Sequence, residues 1–455
     1  MKATTKFLGA CALSLLAGSV SAAVSPDELA TLGTSLTPVG AERAGNADGT
    51  IPEWTGGLPQ NAAAVDGKGF LADPFANEQP LFVITAANAD QYKDRLGDGQ
   101  LAMFKRYADS FRMPVYPSHR SVAMPQEVYA AARISAEKVS LVEGGNGLKG
   151  FTESRTLAFP IPKSGLEAVW NHITRYRGGN LFRDSTSAFP QRNGDYTLVR
   201  IQDQVAFPAL MQDLPQDKAA NTLLMFKSIT SAPARLAGNV LLVHDTLDQV
   251  KEARMAWQYN PGQRRVRRAP QVAYDSPGSN ADGTRTSDDF DMYNGAPDRY
   301  DWTLVGKKDM YIPYNNYRLA SPAVKYADIL KAGHTNQDLA RYELHRVWVV
   351  EGTLKPGMRH VYAKRRFYID EDSWNIAASD LYDGRGQLWR VGQSMLMQEY
   401  HARTPWYAFE ALYDLTSGRY GVYGMINEEK SWVKFGVPAS GNDFTPAALR
   451  TAGVR

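Results

Sequence analysis

The segment Leu344-His345-Arg346-Val347-Trp348-Val349-Val350-Glu351-Gly352-Thr353-Leu354 decides the class of fold. It is rich in β-branched and aromatic residues, which favour strands. The turn Lys355-Pro356-Gly357 joins it to a second such segment, Arg359 to Asp370. Two strand-like runs around a short Pro-Gly turn predict an antiparallel hairpin.

The same pattern recurs on both sides of this hairpin. Asn375 to Tyr382 and Gln387 to Met397 flank the turn Asp383-Gly384-Arg385-Gly386. Met255, Trp257 and Tyr259 alternate with polar residues before Asn260-Pro261-Gly262-Gln263, and Arg264 to Arg268 follows as the return strand. Further strands are predicted at Asp301 to Tyr311 and Tyr420 to Asn427. Successive hairpins with short turns predict a mostly antiparallel sheet, and the Gly and Pro interruptions suit a curved one.

Helical patterns accompany these strands, so the expected class is α+β. Lys163 to Tyr176 has the clearest helix signal, because Ser164 can cap it and Glu167 follows three residues later. The other predicted helices are Ala87 to Tyr107, Pro125 to Leu141, Pro215 to Ile229, Pro322 to Ala332 and Thr404 to Tyr413.

Residues 1–23 are predicted to be a cleaved signal peptide. Lys2 and Lys6 precede an apolar run from Phe7 to Val20, and Ser21-Ala22-Ala23 supplies small residues for cleavage. Leu8-Gly9-Ala10-Cys11 is similar to a lipoprotein acylation site but lies too early, so we expect a soluble, exported mature chain. Cys11 is the only cysteine, and the mature chain is therefore expected to form no disulfide.

Two regions follow the signal peptide. Residues 24–85 are rich in Gly, Pro, Asn and Asp, which predicts an irregular arm on the body, anchored by Trp54, Phe70 and Phe75. Residues 86–455 are expected to form a single domain. A long polar loop within it, Asp275 to Asp291, is of a length typical of functional or mobile loops.

Charge is nearly balanced, with 51 basic and 48 acidic residues, which argues against nucleic acid as a partner. Basic residues nevertheless cluster on predicted strands. Such clusters either protect a sheet edge or form a basic rim for an anionic head group or an acidic partner. The cluster residues are Arg264, Arg265, Arg267, Arg268, Lys307, Lys308, Lys364, Arg365 and Arg366.

Signatures of catalysis and cofactor binding are weak. The seven histidines are scattered without a ligand pair, and Gly392-Gln393-Ser394-Met395 lacks the last glycine of a nucleophile elbow. Nucleotide-binding loops are missing, so no metal and no cofactor are expected. The pairs Asp288-Asp289 and Glu371-Asp372 could act as acid and base, but acidic neighbours in turns are mostly solvated.

Several blocks together resemble the family named domain of unknown function 1329 (DUF1329) of Gram-negative bacteria. The resemblance implies a periplasmic protein similar to the lipoprotein carriers LolA and LolB, with a strongly curved antiparallel sheet, an unclosed β-barrel, helices in or over its concave face and an apolar cavity. It also implies an association with resistance–nodulation–division (RND) transporters of the inner membrane and with outer-membrane components. A peripheral location at the outer membrane is the alternative to a freely periplasmic one. No catalytic residues are implied. The blocks are Leu36 to Asn46, Asp48 to Gly57, Tyr259 to Arg268, Asp301 to Pro313 and Phe367 to Trp374.

These observations predict a carrier for a lipid or another hydrophobic molecule, held on the concave face of the sheet. Two alternatives remain open: a transporter subunit without a ligand, whose aromatic residues only pack helices on the sheet, and a secreted hydrolase with an assembled site. By strand alternation the inward residues, and thus the cavity candidates, are Met255, Trp257, Tyr259, Trp302, Trp348, Val350, Phe367, Trp389 and Val391.

Overall fold

The structure is a computed structural model that describes residues 24–152, 156–211, 213–269 and 272–453. The predicted signal peptide, with Cys11, lies outside the described residues. No helix in the described part of the chain combines the length and the apolar character needed to cross a bilayer.

Strands make up most of the described body. In chain order they are β1 Phe82–Ile84, β2 Met113–Val115, β3 Ser140–Leu141, β4 Leu148–Lys149, β5 Leu181–Ala188, β6 Leu198–Ala206, β7 Thr222–Ala232, β8 Val240–Thr246, β9 Met255–Asn260, β10 Arg265–Arg268, β11 Tyr300–Pro313, β12 Tyr342–Leu354, β13 Lys364–Asp370, β14 Ile376–Tyr382, β15 Leu388–Glu399, β16 Thr404–Asp414, β17 Tyr420–Met425 and β18 Lys434–Phe435.

The helices are short and lie between the strands. They are α1 Pro26–Thr31, α2 Asp98–Arg106, α3 Gln126–Lys138, α4 Gly165–Thr174, α5 Gln216–Ala219, α6 Tyr317–Ala320, α7 Tyr326–Ile329 and α8 Ala448–Gly453.

Sixteen strands form one large curved sheet that does not close. Its order is β1-β2-β12-β13-β14-β15-β16-β17-β5-β6-β7-β8-β9-β10, with β11 also paired to β12 and β18 to β5. The pairing is antiparallel except for one parallel bridge between Tyr342 and Val115. The predicted α+β class with a curved, mostly antiparallel, unclosed sheet is therefore confirmed.

The three predicted hairpins are present. In the hairpin of β12 and β13, Thr353 pairs with Lys364, and the return strand begins five residues later than predicted. The hairpins of β14 with β15 and of β9 with β10 also pair as expected. The Gly, Pro, Asn and Asp residues of the turns thus predicted correctly which strands are joined as hairpins.

Two predicted helices are strands, and these predictions were wrong. Thr404 to Tyr413 lies in β16, which pairs with β15 and β17. Of the predicted helix from Pro215 to Ile229, only α5 is helical, and β7 follows it. Most of the residues in β7 and β16 are buried on both faces. A strand of this kind shows no alternation, so its sequence cannot be told from a short buried helix.

The remaining helix predictions hold in part. Ser164 caps α4 by accepting a hydrogen bond from the backbone N–H of Glu167 at 3.2 Å, and α4 packs on β11 and β12. The predicted helix from Ala87 to Tyr107 is broken before α2 at Gly97, where a Cβ would lie 2.8 Å from the Tyr368 hydroxyl oxygen. The helix predicted from Pro322 to Ala332 is reduced to the single turn α7.

The segment predicted as an arm, residues 24–85, includes α1 and β1 and contacts the rest of the chain through Trp54, Phe70 and Phe75. Trp54 is buried and its Nε1 donates a hydrogen bond to the carbonyl of Val122 at 2.9 Å. Phe70 packs against Trp432, with ring centroids 5.7 Å apart. Phe75 stacks on His119 with centroids 4.2 Å apart. These contacts bind the arm at three separate positions.

Candidate functional site

A cavity of about 480 Å³ lies against strands β5 to β9. Every second residue of β5 faces it, from Leu181 through Arg183 and Ser185 to Ser187, as expected when one face of a strand lines a cavity. Strands β6, β7 and β8 add apolar side chains. The apolar lining from β5 to β8 is Leu181, Ile201, Val205, Leu224, Phe226, Val240, Leu241 and Val243.

The long loop from Asp275 to Asp291 covers one side of this cavity. Asn280 donates a hydrogen bond from Nδ2 to Thr230 on β7 at 2.6 Å. Thr284 and Tyr423 on β17 share a hydroxyl–hydroxyl bond of 2.5 Å. The loop is thus attached to both sides of the cavity, and its residue Phe290 contributes to the apolar wall.

Three aspartates on the cavity wall are neutralised by arginines. Arg183 donates from Nε to Asp203 at 3.0 Å, and Arg254 forms an ion pair with Asp245. Arg177 donates from Nη2 to Asp291 at 2.7 Å.

Asp291 also binds a second arginine, Arg175, at 2.5 Å. Burial alone would raise the pKa of Asp291, but Arg175 and Arg177 hold it well below its usual range. This carboxylate therefore stays ionised beside the cavity.

Two further ionisable groups at the cavity have no such partner among the described residues. Arg285 stacks on the ring of Tyr423, with Cζ 4.1 Å from the ring centroid. Its Nε is buried and has no hydrogen-bond partner in the described part of the chain. Glu410 is buried on β16, and burial together with Asp291 raises its pKa to about 8. At neutral pH this carboxyl is mostly protonated, so it does not neutralise Arg285.

Only Tyr259 among the nine predicted cavity residues lines this cavity. Met255 and Trp257 share β9 with it, and Trp257 packs on His244 with ring centroids 5.0 Å apart. The other six belong to or pack against the main core under β11 to β15. They are Trp302, Trp348, Val350, Phe367, Trp389 and Val391. Alternation groups the residues that share one face of a strand, but it does not tell which part of the sheet the helices and loops leave uncovered.

Five of the nine residues of the predicted basic rim are half-buried or buried and are paired with other groups. Lys307 binds Glu42 and Glu371, each at 2.9 Å. Arg365 is fully buried and binds Asp288 and Asp289.

Three more basic side chains of the set have partners as well. Arg366 binds Glu351 at 2.9 Å, and Lys364 lies 3.8 Å from the same carboxylate. Lys308 donates from Nζ to the carbonyl of Leu96 at 2.8 Å.

The exposed part of the set is the β10 hairpin. Arg264, Arg265, Arg267 and Arg268 are all exposed. Arg264 was expected on the strand but has φ +50° and belongs to the turn before β10. These four residues are the exposed members of the predicted rim.

The acidic pairs are buried, so the expectation that they are solvated was wrong. Asp288 is 2% exposed and Glu371 is 1% exposed. Both pairs bind arginines that are distant in sequence, as the Arg365 contacts illustrate. A charge pattern along the chain cannot show such long-range ion pairs.

A group that could hold a metal ion lies away from the cavity. Ligand atoms of His345, Asp370 and Asp372 lie within 4.8 Å of one another. Asp372, however, already binds Arg120 through two hydrogen bonds of 2.9 and 2.7 Å, and His345 is hydrogen-bonded to Glu343 at 3.0 Å. Burial and the neighbouring Asp372 raise the pKa of Asp370 to about 6. The positive charge of Arg120 and a proton on Asp370 can therefore balance the charge of this cluster without a metal ion.

Comparison with known proteins gives one family. The model of the family described as "Protein of unknown function (DUF1329)" matches residues 83–450. The chain is 63% identical over 455 residues to an uncharacterised protein of Pseudomonas aeruginosa, PA3922, and the match covers 99% of this chain and 100% of the relative.

Solved structures show weaker similarity. A DUF1329 family protein from Desulfovibrio piger ATCC 29098 is 14% identical with a TM-score of 0.42, covering 60% of this chain and 92% of that one. The LolA superfamily protein NE2245 from Nitrosomonas europaea is 13% identical with a TM-score of 0.36, with the same coverages of 60% and 92%. The resemblance read from the sequence is confirmed by the family match. The chain belongs to the DUF1329 family.

Proposed function

We propose that this protein is a periplasmic carrier that binds one lipid or similar hydrophobic molecule in the cavity beside β5 to β9. The observation that carries this proposal is the cavity itself. Its volume of about 480 Å³ falls within the roughly 300–1,000 Å³ of small-molecule sites. Aliphatic side chains on β6, β7 and β8 would surround a hydrocarbon chain.

The energetics favour such a role. Each methylene moved from water into an apolar site contributes about 0.8 kcal/mol. A chain of about fourteen methylenes thus gains on the order of 11 kcal/mol before the costs of binding are subtracted. A hydrocarbon chain cannot cross an aqueous compartment freely against this free energy, whereas an enclosed cavity can transport it.

The lining supports binding more than hydrolysis. Its described residues include serines such as Ser185 and Ser228 but no histidine and no cysteine. A serine nucleophile needs a base within hydrogen-bond reach. The three aspartates on the cavity wall are bound to arginines, and Glu410 is mostly protonated at neutral pH because of its raised pKa.

We also propose an RND-type transporter and its outer-membrane components as partners, in contact with the exposed basic edge strand β10. Arg265, Arg267 and Arg268 point from the last strand of the sheet and are exposed. Opposite charge on a partner would guide association with such an edge.

Native mass spectrometry tests the carrier proposal directly. The protein is purified without detergent from a Gram-negative host, and spectra are recorded before and after extraction with organic solvent. We expect the extracted protein to lose a discrete mass that corresponds to one hydrophobic molecule. A single mass, equal to the mature polypeptide before and after extraction, together with failure to take up added lipid, would contradict the carrier role.

A further inference from the structure

The cavity carries more positive than negative charge. Five arginines line it: Arg177, Arg183, Arg235, Arg254 and Arg285. Three aspartates, Asp203, Asp245 and Asp291, face three of these arginines. No described carboxylate balances Arg285, and Arg235 is exposed at the rim.

The position of Arg285 is fixed by stacking. Its Cζ lies 4.1 Å from the ring centroid of Tyr423 and 5.2 Å from that of Phe290. At these distances, contact with aromatic faces fixes the orientation of the guanidinium plane and leaves its N–H groups free to donate hydrogen bonds. The Thr284–Tyr423 hydrogen bond fixes the residue before Arg285 to the same tyrosine.

A buried guanidinium N–H without an acceptor is costly. A buried donor without a partner destabilises a protein by roughly 1–3 kcal/mol, more when it is charged. The Nε of Arg285 has no hydrogen-bond partner in the described part of the chain. A bound anion would supply the missing acceptors, and a carboxylate or phosphate suits the fork of guanidinium donors.

Glu410 is a second possible hydrogen-bond donor close to Tyr423, the residue on which Arg285 stacks. It lies directly opposite Tyr423 in the pairing of β16 with β17, so the two side chains share one face of the sheet. The raised pKa of Glu410, about 8, means that its carboxyl can donate a hydrogen bond at neutral pH. It would then add a second donor near the same anion instead of repelling it.

We propose that the cavity selects an amphiphile with an anionic head group, a carboxylate or a phosphate, which binds Arg285 while its hydrocarbon tail lies against Phe226, Leu241 and Val243. This inference rests on the proposed carrier function and adds the chemical class of the ligand. A fatty acid and a phospholipid both offer this chemistry.

The test uses the mature full-length chain after removal of bound lipid. Dodecanoate, dodecyl phosphate and dodecanol compete with the fluorescent neutral probe N-phenylnaphthylamine. For the wild type we expect at least one of the two anions to bind about tenfold or more tightly than dodecanol, as hydrogen bonds to charged groups predict. Preference for dodecanoate would assign a fatty acid, and preference for dodecyl phosphate a phospholipid.

The variant Arg285→Gln should abolish this preference while the affinity for dodecanol stays within about twofold. The matched control is Arg385→Gln, which removes the same charge at an exposed turn between β14 and β15 and should retain the preference. If Arg285→Gln does not fold, as judged by circular dichroism, the ranking of the three ligands on the wild type decides alone.

The experiment distinguishes failure of the Arg285 inference from failure of the carrier function. Equal affinity of the wild type for all three ligands, or an anion preference that survives in folded Arg285→Gln, overturns the role of Arg285 and leaves the carrier function standing. Binding of neither the probe nor any of the three ligands overturns the carrier function itself.

Discussion

Arg365 and Asp289 form an ion pair of 3.1 Å although 76 residues separate them along the chain. Arg365 lies on β13 in the main core, whereas Asp289 belongs to the loop that covers the cavity. The same guanidinium donates to Asp288 at 2.5 Å. The loop is therefore attached to the part of the sheet that the cavity does not touch, and this attachment fixes the position of the cavity wall.

Replacing Arg365 should destabilise the fold strongly. The side chain is 0% exposed, so Arg365→Met leaves two buried aspartates without their cation. Breaking a buried pair in this way costs about 3–5 kcal/mol in the free energy of unfolding. Urea unfolding followed by tryptophan fluorescence measures this loss.

The matched control for that experiment is Arg385→Met. Arg385 also pairs with an aspartate, Asp383, but its side chain is 79% exposed. Solvent screens such an exposed pair, so Arg385→Met should cost far less stability than Arg365→Met. If the two variants lost the same stability, the proposed attachment of the loop would be wrong.

Glu410→Gln should change how stability depends on pH. Folding raises the pKa of Glu410 from 4.5 to about 8, because burial and Asp291 disfavour the ionised form. The folded state therefore holds a proton that the unfolded state releases, and the wild type loses stability as pH rises from about 4.5 to about 8. Glutamine carries no such proton.

The measurement compares urea unfolding at about pH 5 and pH 8.5, which lie toward the two ends of this window. The stability of Glu410→Gln relative to the wild type should increase with pH. Glu137→Gln, an exposed carboxyl on α3, controls for loss of an acidic charge. A relative stability that is the same at both pH values would show that Glu410 is ionised in the folded protein.

Reversal of charge on the β10 hairpin tests the proposed partner surface. Arg264→Glu with Arg267→Glu should reduce capture of the RND-type transporter about tenfold, because an acidic partner surface would now be repelled. Pull-down of the tagged protein from solubilised envelopes measures capture. Arg359→Glu with Arg385→Glu reverses two exposed arginines on other turns and should leave capture unchanged. Equal capture by both double variants would speak against β10.

The hairpins were predictable because their signals are local. Lys355-Pro356-Gly357 and Asp383-Gly384-Arg385-Gly386 fix turns within a few residues, and the flanking β-branched residues identify the strands. The capping of α4 by Ser164 is equally local. Each of these features needs no knowledge of the rest of the chain.

The cavity was not predictable at the level of residues. Its strand β5 alternates Leu181, Arg183, Ser185 and Ser187 toward the interior, so its inward face is largely polar and lacks the apolar alternation that identifies a half-buried strand. Strands β6 and β8 were missed with it. The period-two spacing of Ile201, Asp203 and Val205 predicts a strand with one inward face. That prediction places a charged residue, Asp203, among the inward residues.

The ion pairs could not be read from the sequence either. Arg183 meets Asp203 through neighbouring strands, which a correct assignment of β5 and β6 would have suggested. Arg365 meets Asp288 only because the long loop folds back over the sheet. Contacts of this range depend on tertiary packing rather than on local pattern.

The most direct test of the central claim is to fill the cavity. Ser228 on β7 lines it, whereas Ser231 on the same strand is exposed. We expect Ser228→Trp to weaken binding of N-phenylnaphthylamine about tenfold or more, and Ser231→Trp to stay within about twofold of the wild type. Binding to a folded Ser228→Trp protein with the affinity of the wild type would contradict the claim that this cavity holds the ligand.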